Sequence, residues 1–205
     1  RGFVSSLVSA HLSELAKEAK VTTIFRFKFL QTLAEYEHFV ALNQPVTRGI
    51  ESSQSSEAIR QAYWRTHFIV GHYINEFKTL LATGEEGRLT RAKSIAKLRD
   101  LLWKHSLDPR YASPEWQTRI ASMYFPLVVL AFENVETLIG TTSGLGVASA
   151  PSNMSPEWKD WCYVVLWILR NCNRELVFKP WKTGARELSL IKFLKFLRYG
   201  HETFA

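Results

Sequence analysis

Apolar positions recur at steps of three and four along nearly the whole chain. Phe68, Ile69, Val70, Tyr73, Ile74, Phe77, Leu80 and Leu81 fall on one broad face at the helical period. Alternation with period two is not sustained over six residues anywhere. Its nearest rival, the β-branched run 21–24, leads directly into a helical pattern. The pattern predicts helices over about residues 3–19, 22–41, 57–82 (with a break near Arg65), 89–105, 113–138, 155–178 and 187–199.

Punctuation supports these limits. Gly84 and Gly87 mark a turn, and Pro109 stops the fourth helix. Ser113-Pro114 and Ser155-Pro156 are start signals. The serine hydroxyl can accept from first-turn amides, and proline at the first helical position sacrifices no hydrogen bond. Pro126 lies inside the fifth pattern and is expected to kink or split that helix. The Ser-rich stretch 47–56, the Gly/Ser/Thr-rich stretch 140–153 and the basic stretch 179–186 read as loops, and Gly200 reads as the cap of the last helix. The expected class is all-α. Helix pairs of about 40 residues suit an armadillo or HEAT-like solenoid. No sequence repeat of that period is evident, so periodicity leaves an irregular bundle open beside it.

Composition narrows the picture further. With 46% hydrophobic and 22% charged residues, the chain has the balance of a folded domain rather than a disordered one. The longest strongly apolar run, 162–169, is far short of the ~20 residues of a membrane span. Two cysteines are too few for a disulfide framework. Cys162 and Cys172 on one helix would lie ~15 Å apart, beyond the ~7 Å a disulfide tolerates. They are expected to be free, buried thiols, which fits a reducing compartment. The chain begins at Arg1 without a signal-peptide pattern and reads as a fragment of something longer. All 205 residues are compatible with one helical segment.

No catalytic, cofactor-binding or metal-ligating constellation emerges. His67 and His72 are five apart, which turns them well away from each other around a helix. His72 and Glu76 are one turn apart and read as a surface or capping pair. Residues 140–146 resemble a phosphate cradle only superficially, because no Lys-Ser/Thr follows and no strand precedes. Ser143 lacks the two flanking glycines of a nucleophile elbow, and the sequon at Asn153 has no secretory context. Glu85, Glu86 and Asp160 read as isolated carboxylates on solvated faces. Among the seven tryptophans, Trp158 and Trp161 can share a helix face while Trp167 points elsewhere.

The net charge of +7 keeps anionic membrane, nucleic acid and acidic proteins open as partners. Arg88, Arg91, Lys93, Lys97, Arg99 and Lys104 lie along the fourth helix opposite Ile95, Leu98, Leu101 and Leu102. In the last helix Leu190, Phe193, Leu194 and Leu197 form one face, with Lys192 and Lys195 pointing away. Such helices ordinarily bury the apolar face and leave the cations in water.

Several blocks, in order, resemble the DOCK (dedicator of cytokinesis) family of atypical Rho-GTPase exchange factors. They are residues 25–30 (Phe-Arg-Phe-Lys-Phe-Leu); 35–39 (Glu-Tyr-Glu-His-Phe) with Leu42, Asn43 and Pro45; and 67–71 (His-Phe-Ile-Val-Gly). Next come 98–102 (Leu-Arg-Asp-Leu-Leu) leading into Lys104, His105, Ser106, Asp108, Arg110 and Tyr111. Last are Arg119, Ile120, Ala121, Tyr124, Pro126, Leu127, Glu133 and Asn134. The likeness is closer to the zizimin-like branch. It implies a piece of the central armadillo-like region, upstream of the lobes that act on the GTPase, so no catalytic residue carries over. The expected role is a cytoplasmic, non-catalytic scaffold that holds protein partners or neighbouring domains, in a parent that acts on Rac- or Cdc42-like GTPases and can be recruited to membranes. The competing expectation is a basic helical module that binds anionic membrane or nucleic acid directly.

Overall fold

The structure is a computed structural model, and it describes residues 2–17, 23–36, 38, 68–84, 86–139, 155–173 and 187–204. Every regular element among them is helical: α1 (Gly2–Lys17), α2 (Thr23–Ala34), α3 (Phe68–Ala82), α4 (Arg88–Leu107), a 3-10 turn (Pro109–Tyr111), α5 (Pro114–Glu133), α6 (Val135–Ile139), α7 (Pro156–Asn171) and α8 (Glu187–Phe204). The expected all-α class holds. The loops expected at 47–56, 140–153 and 179–186, the start of the third helix, Arg65, His67, Glu85 and Ser143 lie outside the described residues.

The chain divides into two compact units, Arg1–Glu76 and Phe77–Ala205. In the first, Phe27, Leu30, Ile69 and Val70 are fully buried between helices. Phe27 packs on Tyr73 at 5.5 Å between ring centroids. Arg26 clamps both carboxylate oxygens of Glu76 at 2.9 Å, the bidentate geometry that suits a guanidinium. His72 meets the Ser9 hydroxyl at 3.2 Å. The expected His72–Glu76 pair is not a hydrogen-bonded one: each side chain takes its bonding partner from a different helix, while the Glu76 charge still acts on the imidazole. Helix α2 ends at Ala34 in a turn closed by Tyr36 N–H on Leu33 C=O, earlier than the expected limit of 41.

The second unit is built around α7. Trp158 and Trp161 have no exposed surface, as their shared face predicts. Phe77 meets Trp161 at 5.1 Å, and Phe196 meets Trp158 at 4.9 Å. The two Ser-Pro starts form as expected. Ser113 Oγ accepts from Trp116 N–H and Ser155 Oγ from Trp158 N–H, with proline first in each helix. Pro126 does not split its helix, because α5 runs unbroken through it. The missing amide costs only the bond to the Ser122 carbonyl. The break comes at Asn134, whose side-chain amide caps Leu130 C=O at 2.8 Å and separates α5 from α6.

Gly200 is not a cap. It lies buried inside α8, where an added Cβ would stand 3.7 Å from Cys162 Sγ, so the helix seats closely on α7 and continues to Phe204. The buried face of α8 also differs from expectation. Leu190 and Leu194 are exposed, while Phe196 is buried against Phe132 and Trp158. Lys192 and Lys195 do not point away: the first donates to Glu133 C=O at 3.2 Å, and the second pairs with Glu136. Phe196 and Gly200, four apart, set the helix rotation and bring these lysines to the rim of α5 and α6.

Between α3 and α4 the chain turns at Gly84, which has φ +59, a conformation that disfavours any side chain with a Cβ. Gly87 starts α4 where a Cβ would stand 1.9 Å from Thr83 Oγ1 and 3.0 Å from Leu80 O. These glycines let α4 leave immediately beside the end of α3.

Candidate functional site: a groove between parallel helices

Three contacts at successive levels hold α4 to α7. Arg91 pairs with Glu157, Arg99 with Asp160, and Trp167 Nε1 donates to Ser106 Oγ at 2.6 Å. The residue numbers rise together on both helices, so the two run parallel.

The first level is buried. Arg91 and Glu157 side chains are 1% and 4% exposed. The guanidinium also donates to Gly84 C=O at 3.0 Å and Leu80 C=O at 3.3 Å. Leu80 lies in the last turn of α3 and Gly84 in the turn just past it, where the helix dipole favours a cation, while Glu157 sits in the first turn of α7, where an anion is favoured. One side chain thus ties three helix ends. Arg91 was expected on a solvated basic face; it is buried because it heads the stripe Arg91, Ile95, Leu98 and Leu102 that faces the core.

The second level is half open. Asp160 is only 7% exposed, not an isolated surface carboxylate, and Arg99 covers it. Burial raises the Asp160 carboxyl above its ordinary range, and the Arg99 charge only partly opposes this. Arg99 itself is raised, chiefly by its hydrogen bond to Asp100.

Outside these contacts lies a groove of about 560 Å³. Trp103 forms one wall on α4, and Tyr163, Leu166 and Trp167 form the other on α7, with Arg170 and the Arg99–Asp100 ion pair at its edge. Trp103 is 63% exposed, Tyr163 51% and Leu166 42%. Large side chains rarely stand this open together on a surface without use. Leu166 also borders a second hollow of about 340 Å³ between α7 and α8, lined in part by Phe204, whose ring meets that of Tyr163 at 5.2 Å in a tilted contact.

Along the crest of α7 the exposed residues are Lys159, Tyr163, Leu166 and Arg170, at steps of four, three and four. They form one stripe, with a cation at each end and two apolar side chains between. Among the described residues neither cation has a side-chain partner.

The groove lining holds no cysteine, histidine, serine or lysine. Cys162 and Cys172 are both free and buried, and burial pushes the Cys162 thiol up to about 12, which suppresses the thiolate. Cys172 caps α7 rather than lying within it, so the helix ends before the expected limit of 178. His105 is buried edge-on to Tyr111. No three His, Cys, Asp or Glu side chains among the described residues gather as a metal site. No helix among them is long and apolar enough to cross a membrane.

The sequence is 35% identical over 145 residues, or 67% of this chain, to dedicator of cytokinesis protein 9 from Homo sapiens. It is 29% identical over 67% of the chain to dedicator of cytokinesis protein 11 from Danio rerio. It is 30% identical over 69% of the chain to dedicator of cytokinesis protein 8 from Homo sapiens. The chain belongs to the dedicator of cytokinesis family. It spans only 7% to 8% of the length of these dedicator relatives. No family model matches it, and no solved structure does. Sequence reasoning located the family but not the groove. Its signal was Tyr163 and Leu166 on the same turn-to-turn stripe as two cations.

Proposed function

We propose that this chain is a non-catalytic helical scaffold of a dedicator-type guanine nucleotide exchange factor, where it holds partner proteins or neighbouring domains. The observation that carries the reading is the open aromatic groove on the α4–α7 pair, which offers contact area and charge and has no cysteine, histidine or serine in its lining. The small share of each relative that the chain spans also supports it. The parent would act on Rho-family GTPases of the Rac or Cdc42 type through other regions. Within the second unit, α4 and α7 run parallel with α5 and the short α6 between them in sequence, much as the matching helices of successive armadillo-like repeats do; this favours a solenoid over an irregular bundle. The two free, buried cysteines suit the reducing cytoplasm.

Nucleotide-release assays on Rac and Cdc42 test the reading. The chain alone should leave release at the background rate, and stimulation at micromolar concentration would refute the non-catalytic assignment.

A further inference from the structure

The crest of α7 carries more information than an apolar patch. Lys159, Tyr163, Leu166 and Arg170 repeat at the step by which one helix presents a face to another, over about 16 Å. Trp103 closes the far side, so the apolar part is a trough rather than a bulge. The sequence of α7 is apolar on every side from Cys162 to Leu169, the composition of a helix covered all round. Among the described residues only Phe204 of α8 meets the Tyr163 ring, and the Tyr163–Leu166 side stays about half exposed.

We propose that this groove docks an acidic amphipathic α-helix of a separate protein. Two large apolar residues of that helix, one turn apart, fill the trough beside Trp103, Tyr163 and Leu166. Carboxylates about one turn outside them pair with Lys159 and Arg170. This rests on the scaffold reading and names the partner chemistry of its site. Charge selects the occupant. A second copy of this chain, itself +7, would set the two cations of one crest against those of the other. A helix with Glu at both ends of its apolar pair meets both. Recognition of this kind places anchors at helical spacing in an apolar groove and uses flanking charge for register.

The test uses the 205-residue chain and two display libraries of 16-residue helical peptides. Both fix large apolar residues at the fifth and eighth positions. One carries Glu at the first and twelfth, the other Lys there, and all remaining positions vary. Selection should enrich binders from the Glu library alone. Binding should fall about tenfold or more for Lys159→Glu and for Arg170→Glu. Trp103→Ala and Leu166→Ala should also weaken it, whereas Lys17→Glu on α1 should not. These side chains are exposed, so far-UV circular dichroism should match the parent chain.

Equal enrichment from the Lys library, no enrichment, or binders indifferent to the groove variants would overturn the proposal. So would sedimentation of the chain with phosphatidylserine vesicles that is lost in Lys159→Glu and Arg170→Glu while no peptide is enriched. Concentration-dependent dimerisation abolished by Leu166→Ala would overturn it in favour of a second copy. None of these outcomes touches the exchange assay, so the scaffold reading can fail or stand separately.

Discussion

Glu157→Gln isolates the energetics of the α4–α7 pair. The change keeps the shape of the side chain and removes its charge. Arg91, 1% exposed, then stands with a guanidinium that no water reaches and that does not give up its proton. Removing one partner of a buried ion pair costs ~3–5 kcal/mol. The bonds to Gly84 and Leu80 carbonyls remain, at 3.0 and 3.3 Å, so the lower end applies: about 3 kcal/mol. With an m-value of about 2 kcal/mol per molar urea, the midpoint should fall by about 1.5 M. Asp160→Asn is the internal control on the same interface. Its partner Arg99 is 41% exposed and can be rehydrated, so the loss should stay below about 1 kcal/mol. Burial already disfavours the Asp160 charge, which reduces the loss further. The double variant Arg91→Met with Glu157→Leu removes both buried charges and leaves Leu80 C=O its bond from the Thr83 hydroxyl, at 2.8 Å. It should return to within ~1 kcal/mol of the parent chain. Urea titration followed by tryptophan fluorescence reads all three, because Trp158 and Trp161 are buried in the same core. Equal midpoints for Glu157→Gln and Asp160→Asn would refute the reasoning. So would a double variant no more stable than Glu157→Gln.

The buried thiols should be inert in the folded chain: Ellman's reagent should find both cysteines in denaturant and give no fast phase without it, and rapid native labelling would contradict the burial of Cys162. His72 is lowered from its ordinary value of 6.5, first by burial and against the pull of Glu76. A lowered histidine adds stability above the unfolded value that is lost as pH falls, so the urea midpoint should drop below about pH 6.5, with a smaller slope in His72→Gln; equal slopes would discard the assignment. At Gly84, φ +59 makes Gly84→Ala costly by about 1–2 kcal/mol and Gly84→Asn milder, as thermal melts should read; equal melting temperatures for alanine, asparagine and glycine would contradict that turn.

How much of this was legible in the sequence depends on contrast between neighbouring positions. Where apolar and polar residues alternate at the helical step, as along α3 and α5, the helices and both serine caps could be read directly. Arg91 was legible in principle. Its stripe continues through Ile95, Leu98 and Leu102, and Glu157 heads a matching stripe through Trp161, Val164 and Ile168. A charge at the head of an apolar stripe requires a buried counter-charge, and two such helices can supply one to each other. What hid it was the company of Arg88, Lys93, Lys97 and Lys104, which made one basic face seem sufficient. The α8 rotation was lost for the opposite reason. Leu190, Phe193, Leu194, Phe196 and Leu197 leave almost no polar contrast, and only the fit of Phe196 and Gly200 against α7 selects the buried side. The same lack of contrast in α7 concealed the groove. A stretch apolar on all sides says that every side is covered, and the core accounts for the faces of Trp161, Val165 and Ile168. Tyr163 and Leu166 are the remainder: the sequence makes them apolar while the described residues, Phe204 apart, leave them about half exposed, and that mismatch is the physical reason to seek their cover in a partner helix.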